Sequence, residues 1–169
     1  MSDRIAIMLD GHVEQLADPE TVYERPSSAF VAGFIGRNNF WRGTSTGAGV
    51  RANDGTVFVS SSPEEKVSAG QPALAAVRPE SISLASTQPG RDNNHVGGTV
   101  ASVSHYGDTL QYVVRTSERD IIALLPRQTA PRLSPGDAVW CQWSATDVYQ
   151  FSADQADLVL VEPAADTTQ

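Results

Sequence analysis

The sequence predicts a mainly β protein in which short antiparallel strands close into small barrels, preceded by a β-hairpin and two short helices. Two observations support this fold class. From Asn38 onward, short apolar runs are separated by Gly, Pro, Asn and Asp turn residues. Before Asn38, an Asp-Gly turn is followed by two stretches that carry helix-capping residues.

A β-hairpin is predicted at the start of the chain. The apolar run from Ile5 to Leu9 is followed by Asp10-Gly11, a dipeptide typical of two-residue hairpin turns, and His12 to Leu16 is the returning strand. Two strands and two short helices bury too little apolar surface to be stable alone, so this segment indicates the edge of a larger unit.

Two short helices are predicted next. Asp18 is a suitable N-cap with Pro19 at the first helical position, and Pro26 ends this helix. Ser27 is the predicted cap of the second helix, which spans Ser28 to Ile35 and stops at Gly36. One apolar stripe is predicted along the second helix, formed by Phe30, Val31, Phe34 and Ile35.

The most specific short pattern is Val77-Arg78-Pro79-Glu80. Two-residue alternation along a strand would place Arg78 and Glu80 side by side on one face. Because Pro79 cannot donate a hydrogen bond to a sheet, we expect either an edge strand or a strand that ends in a turn. Taken alone, the pair indicates an exposed surface ion pair, worth at most about 1 kcal/mol.

Short strands are predicted on both sides of this pattern. Upstream, Phe40 and Trp41 lead into a first β cluster with a turn at Asn53-Asp54-Gly55, and residues 62–65 resemble a capping box that has room for one helical turn. Downstream, Thr99–Tyr106 and Thr109–Thr116 flank Gly107-Asp108, a two-residue hairpin turn. Further strands are expected at 120–125, 139–143, 148–151 and 158–161, with a turn at Gly136-Asp137.

Alternation in the second cluster defines a buried face. The residues predicted to be buried are Leu110, Tyr112, Val114, Val139, Cys141 and Trp143. Five or so short strands at regular spacing predict a small Greek-key barrel of the OB type.

Composition and charge exclude several classes of function. The 169 residues include 12 Lys and Arg against 20 Asp and Glu, a formal charge of −8, so a nucleic-acid backbone would be repelled over most of the surface. No run approaches the roughly 18 apolar residues of a membrane-spanning helix. The only cysteine, Cys141, fits a reducing compartment. We therefore expect a cytoplasmic protein with no nucleic-acid partner.

No catalytic, cofactor or metal site is predicted. A phosphate-binding loop needs Gly-Lys-Ser/Thr, but the only lysine is Lys66, between a glutamate and a valine. His12, His95 and His105 do not have a metal-binding spacing. An aromatic set could stack on bases in an OB barrel, although core packing or subunit contact is the simpler interpretation. That set is Phe40, Trp41, Trp140, Trp143, Tyr149 and Phe151.

Two stretches of the sequence resemble one known family, the ATP-binding subunits of ABC importers for polyamines, ferric iron and sugars. The stretch SDRIAIMLDGHVEQLADPETVYERPSSAFVAGFIGRNNFWRG resembles the end of their nucleotide-binding domain. VRPE at residues 77–80 resembles the mark of the regulatory TOBE domain that follows. The resemblance implies a nucleotide-binding-domain remnant at 1–36, a TOBE-type domain with OB-like (TOBE/MOP-type) barrels at 37–165, and a tail at 166–169.

The resemblance also implies a function. The parent family binds ATP and Mg²⁺ through motifs upstream of the matched region, so this chain is expected to bind neither and to be no enzyme. It would act as a regulatory and dimerisation module, peripheral to the inner face of the membrane, with a second copy and permease subunits as partners. Positions taken as family motif are Val77, Arg78, Pro79, Glu80, Gly107, Asp108, Gly136 and Asp137.

Alternatives stay open on the sequence alone. Dimerisation would use apolar residues left uncovered, for which the candidates are Phe30, Phe34, Phe40 and Trp41. A ligand-sensing barrel, whose negative surface attracts a polyamine or another small solute, is the competing hypothesis. FIGRNNFWRG and HYGDTLQYVV resemble the spermidine/putrescine branch, with iron and sugar importers as alternatives.

Overall fold

The computed structural model describes residues 3–61, 67–90 and 94–153. The capping-box turn predicted at 62–65, the strand predicted at 158–161 and the tail at 166–169 lie outside the described residues. The elements are β1 (Ile5–Leu9), β2 (His12–Ala17), α1 (Pro19–Glu24), α2 (Ala29–Ile35), β3 (Asn39–Ser45), β4 (Gly49–Ala52), β5 (Val57–Val59), β6 (Pro72–Val77), β7 (Ser83–Ala85), β8 (Asn94–Tyr106), β9 (Thr109–Arg115), β10 (Asp120–Pro126), β11 (Ala138–Trp143) and β12 (Tyr149–Ser152).

The fold is mainly β, as predicted, and all its strand pairs are antiparallel. Strands β1 and β2 form a two-stranded hairpin. The first five-stranded sheet, here the β6 sheet, has the order β12-β6-β3-β4-β5. The second, here the β8 sheet, has the order β10-β9-β8-β11-β7. No helix among the described residues is long and apolar enough to cross a membrane.

Both five-stranded sheets contribute side chains to one main core. Trp41 of β3, Phe58 of β5 and Trp143 of β11 meet there, with ring centroids 4.8 to 5.5 Å apart. Such aromatic contacts add to the free energy already gained by burying large rings. The predicted alternation is confirmed, because Leu110, Tyr112, Val114, Val139, Cys141 and Trp143 are all buried.

The β6 sheet is also covered on its other face. Ala29 and Ala32 of α2 pack there against Phe40, Leu74 and other apolar residues in a second core cluster. Small helical side chains let α2 lie close to the sheet. The segment that precedes the barrel is therefore packed on it, rather than only joined to it by the chain.

A third, smaller cluster lies inside the N-terminal segment. Ile7 of β1, Val22 of α1 and Val31 of α2 are buried together there. This confirms the predicted order of hairpin, helix and helix. Ser28 rather than Ser27 caps α2, because the Ser28 hydroxyl accepts a hydrogen bond from the N–H group of Val31.

Two further details differ from the sequence expectations. Strand β6 pairs with β12 on one side and β3 on the other, so it is a central strand and the edge-strand alternative is wrong. The predicted apolar stripe of α2 is only partly buried, since Phe34 is 66% exposed.

A candidate coupling site around Arg78

The VRPE stretch leaves the sheet after its first residue. Val77 is the last residue of β6, and Pro79 begins a 3-10 turn that spans Pro79–Ser81. A proline suits the first position of such a turn because its fixed φ is already helical and its missing N–H is not needed there. The strand therefore ends in a turn, as one of the two alternatives predicted, and strand alternation does not apply to Arg78 and Glu80.

Arg78 points into the junction between the barrel and the N-terminal segment. It is 4% exposed, and its Nη2 donates a hydrogen bond to the backbone carbonyl of Tyr23. The guanidinium carbon lies 3.7 Å from the centroid of the Tyr23 ring, an arrangement that favours a cation. Arg78 therefore binds the end of α1 through both the backbone and the ring of one residue.

Gly36 provides the space for this arginine. A Cβ atom at Gly36 would lie 2.9 Å from Nη1 of Arg78, closer than such atoms come in proteins. Glycine is thus favoured here by the space it leaves for the guanidinium and not by backbone conformation, since its φ of −178° is extended. A larger residue at this position would displace the guanidinium.

Glu80 binds the other end of the same tyrosine. The hydroxyl of Tyr23 donates a hydrogen bond to Oε1 of Glu80. Burial raises the pKa of Tyr23, the bond to Glu80 raises it further, and the charge of Arg78 opposes both effects. The hydroxyl therefore keeps its proton and acts as the donor.

Tyr149 of β12 completes the site. Burial raises the pKa of its hydroxyl, while the charge of Arg78 and a hydrogen bond with Arg78 lower it. We call Tyr23, Gly36, Arg78, Glu80 and Tyr149 the Arg78 junction. Its arginine Nε is buried without a hydrogen-bond partner among the described residues.

The predicted exposed ion pair between Arg78 and Glu80 is wrong. Arg78 is buried and bonded to Tyr23, and Glu80 is exposed and bonded to the hydroxyl of the same residue. Two polar contacts next to the junction add to the attachment. Asn38 donates from Nδ2 to the carbonyl of Ala32 at 2.7 Å, and Arg37 Nη1 donates to Gln111 Oε1 at 3.0 Å.

No pattern in the sequence indicates Tyr23, Gly36 or Tyr149 as parts of the site. They lie 55, 42 and 71 positions from Arg78 by residue number, and no spacing rule joins them.

The remaining predicted motif residues lie in the core or in turns of the fold. Val77 lies in the main core and Pro79 is buried, while Gly107 (φ 62°) and Gly136 (φ 99°) occupy tight turns that need positive φ. Asp108 lies in the first of these turns and Asp137 follows the second.

Two of the four predicted subunit contacts are inside the protein. Phe40 and Trp41 are 7% and 4% exposed and pack in the second and main clusters. They are therefore not available to a partner, because the β6 sheet uses both for its own packing. Phe34 is exposed, and the centroid of its ring lies 5.9 Å from that of Phe30. The prediction that Phe30 and Phe34 contact a partner subunit therefore stays open.

The described residues bear on three other kinds of chemistry: metal binding, a reactive thiol and the stacking of bases on aromatic rings. They contain no group of three or more His, Cys, Asp and Glu placed to hold a metal ion. Cys141 is buried, and burial raises the pKa of its thiol to about 12, so it is no nucleophile at neutral pH. An aromatic platform for bases is also excluded for Phe40, Trp41, Trp143 and Phe151, which are buried. Trp140 and Tyr149 are half-buried.

Comparison with known proteins agrees with this architecture. Residues 75–151 match the family model of the TOBE domain. This region begins within β6, includes the VRPE turn and ends in β12.

Similar full-length proteins share one description. The chain is 36% identical to a spermidine/putrescine import ATP-binding protein of Thermobifida fusca, over 88% of this chain and 40% of the relative. A protein of the same description from Acidothermus cellulolyticus is 36% identical over 94% of this chain and 43% of the relative. One from Pseudomonas aeruginosa is 37% identical over 85% of this chain and 42% of the relative. The chain thus spans about two fifths of the length of these relatives.

A solved structure shares the fold. The cytoplasmic molybdate-binding protein ModG, in a crystal form with molybdate bound, superposes with a TM-score of 0.60 at 15% identity, over 68% of this chain and 96% of ModG. The OB-like prediction is therefore confirmed at the level of fold. The sequence matches thus show a TOBE domain at residues 75–151 and similarity, over most of this chain, to part of the spermidine/putrescine import ATP-binding proteins.

Proposed function

We propose that this chain is the regulatory module of an importer for polyamines and acts by holding and tuning partner subunits without catalysis. The relatives named above support the cargo class, since each is described as a spermidine/putrescine import ATP-binding protein. The partners are a second copy of the chain and the permease subunits. The module works in the cytoplasm at the inner face of the membrane.

The observation that carries this proposal is the Arg78 junction. A regulatory barrel can act on a neighbouring unit only if movement of one is transmitted to the other, and transmission needs a contact that is rigid and specific. Arg78 and Glu80 of the TOBE region hold one residue of α1 at three points: carbonyl, ring and hydroxyl. The junction therefore fixes the barrel to the segment that resembles the end of the nucleotide-binding domain.

The proposal is tested by uptake of labelled spermidine and putrescine in the source cells. Deleting the gene should lower uptake, and the native gene should restore it. Arg78→Ala should restore less than half, because the barrel would no longer be fixed to α1. Arg115→Ala is the matched control, since that arginine is exposed and forms its ion pair with Asp120 at the surface.

Unchanged uptake after deletion would overturn the proposal. So would full restoration by Arg78→Ala from a protein that is present at normal amounts. Calorimetric titration of the purified chain with spermidine separates the competing sensor role, because heat that saturates at one polyamine per chain would assign the barrel to ligand binding instead.

A further inference from the structure

Two buried polar atoms at the Arg78 junction lack a hydrogen-bond partner among the described residues. They are Nε of Arg78, which is a donor, and Oδ1 of Asn38, which is an acceptor. Buried donors and acceptors in folded proteins are nearly always paired with protein groups or with ordered water, because an unpaired one forfeits the hydrogen bonds that it made with solvent. Each atom therefore indicates a partner that the neighbouring side chains do not supply.

The strand register brings these two residues together. Asn39 of β3 lies opposite Val77 of β6, so the next positions along this register are Asn38 and Arg78. The backbone of Arg78 is still extended, with φ −71° and ψ 143°, and side chains at opposed positions of a sheet are neighbours on one face. By alternation this is the face that carries Phe40 and is covered by α2.

Other contacts fix the orientation of both groups. Asn38 Nδ2 donates to the carbonyl of Ala32 at 2.7 Å, so the amide keeps its Oδ1 as an acceptor on the other side. The Arg78 guanidinium is held by the carbonyl and the ring of Tyr23. Neither group can turn away from its neighbour without losing these contacts. Since the two unpaired atoms do not bond each other, both need a third group.

The chemistry of the two atoms selects that group. An anion would accept from Arg78 Nε but would be repelled by the amide oxygen of Asn38, and a cation would be repelled by the guanidinium. A neutral molecule that both donates and accepts satisfies the two atoms at once. Because both atoms are buried, a large solute cannot reach them without moving the surrounding chain. Water has the required chemistry and size.

We infer that one buried water molecule joins Arg78 to Asn38, accepting from Nε and donating to Oδ1. The functional meaning of this inference rests on the proposed coupling role. Arg78 holds α1 directly through Tyr23, and the water extends its hold to α2, because Asn38 in turn donates to Ala32 in that helix. One arginine of the barrel thereby fixes both helices of the N-terminal segment, and Asn38 is a positioning residue for it.

The first experiment observes the arginine Nε–H groups of the isotope-labelled native chain by NMR. The Arg78 Nε–H should show a cross-peak to a long-lived water molecule and should exchange with solvent at least about tenfold more slowly than that of Arg115. Arg115 is the matched control, because its Nε donates to Asp120 at 3.4 Å from an exposed side chain. A protected Arg78 Nε–H without a water cross-peak would reveal a direct protein partner and overturn the inference, as would rapid exchange.

A double-mutant cycle tests whether Asn38 acts through Arg78. Asn38→Ala should accelerate hydrogen exchange of the α2 amides about tenfold, because both the water-mediated link and the bond to Ala32 are lost. Arg78→Lys keeps a positive charge but places a methylene group where arginine has Nε. In that background, Asn38→Ala should accelerate exchange by only about threefold, since the bond to Ala32 alone remains to be lost.

Equal acceleration by Asn38→Ala in both backgrounds would overturn the positioning role. Circular dichroism checks that the variants are folded, and the NMR experiment on the native chain decides the inference if one of them is not. Neither measurement involves transport, so the inference and the proposed function can fail separately.

Discussion

The barrel and the N-terminal segment bury apolar surface in opposite ways. The barrel encloses three large aromatic rings between two sheets and closes two of its outer strands with asparagine side chains. The segment of residues 3–36 fully encloses only a small cluster around Val22 and leaves Met8 and Phe34 outside. Stability therefore resides in the barrel, and the segment depends on what it is attached to.

The largest effect should come from the aromatic centre of the barrel. Trp41→Ala removes a ring that contacts both Phe58 and Trp143, and should lower the free energy of unfolding by about 3–5 kcal/mol because a large cavity remains. Urea denaturation gives the value. Phe34→Ala is the aromatic control in the segment and should stay within about 0.5 kcal/mol, since that ring is mostly in solvent. Equal losses of unfolding free energy in the two variants would contradict the conclusion that stability resides in the barrel.

The next effect concerns the attachment between the two regions. Arg78→Ala removes a charged hydrogen-bond donor and a cation on the Tyr23 ring, which should lower the free energy of unfolding by about 2–4 kcal/mol. Hydrogen exchange should then become faster in residues 5–35 than in β8 to β11. Arg115→Ala should cost less than about 1 kcal/mol, because its ion pair with Asp120 is exposed. Uniform acceleration in both regions would show that they unfold as one unit.

Removing an asparagine side chain that covers an outer strand should lower the free energy of unfolding by somewhat less. Asn94→Ala leaves the N–H and carbonyl of Val59 without the side chain that binds them, at a loss of about 1–3 kcal/mol. Asn39→Ala should cost at least as much, because Asn39 also donates to the carbonyl of Val77 at 3.3 Å. Thermal unfolding of the two variants measures both. A change below about 0.5 kcal/mol would show that solvent replaces the amide.

The smallest effect is a dependence on pH from the barrel interior. The pKa of the Cys141 thiol is raised from 9.0 to about 12 by burial, so the unfolded chain loses this proton at lower pH than the folded chain. Its contribution to stability is complete below pH 9 and is lost as the pH rises towards 12. At pH 10 the loss should be on the order of 1 kcal/mol relative to pH 7.

Cys141→Ala isolates this contribution, because tyrosines titrate equally in both proteins. The difference in unfolding free energy between native chain and variant should be constant from pH 6 to 8 and shrink above pH 9. A constant difference up to pH 10 would show that the folded thiol ionises as readily as the unfolded one.

Local chemistry explains which parts of this fold were predictable. The turns at Asp10-Gly11 and Gly107-Asp108 and the alternation from Leu110 to Val114 involve neighbours in sequence, and all three are confirmed. The family could also be recognised from short motifs. Such features are fixed by conformational preferences of a few adjacent residues.

The Arg78 junction was not predictable in the same way. An arginine two residues before a glutamate on a strand suggests a surface ion pair, whereas the actual partner of Arg78 is Tyr23, 55 residues earlier. The bridges made by Asn39 and Asn94 reach across 83 and 35 residues. Only the packed sheets bring these groups together, so no spacing in the chain indicates them.

Hydrogen bonds between residues far apart in the sequence also affect how fast the chain folds. Asn39 binds Ile122 across 83 residues, and Gln150 Nε2 donates to Ser45 Oγ across 105. Long loops must close before either bond forms, and the entropy of closing them slows folding. We therefore expect refolding on the order of milliseconds to seconds. During that interval the strands that the asparagines later cover are open, which makes dilute conditions favourable for recovering the native protein.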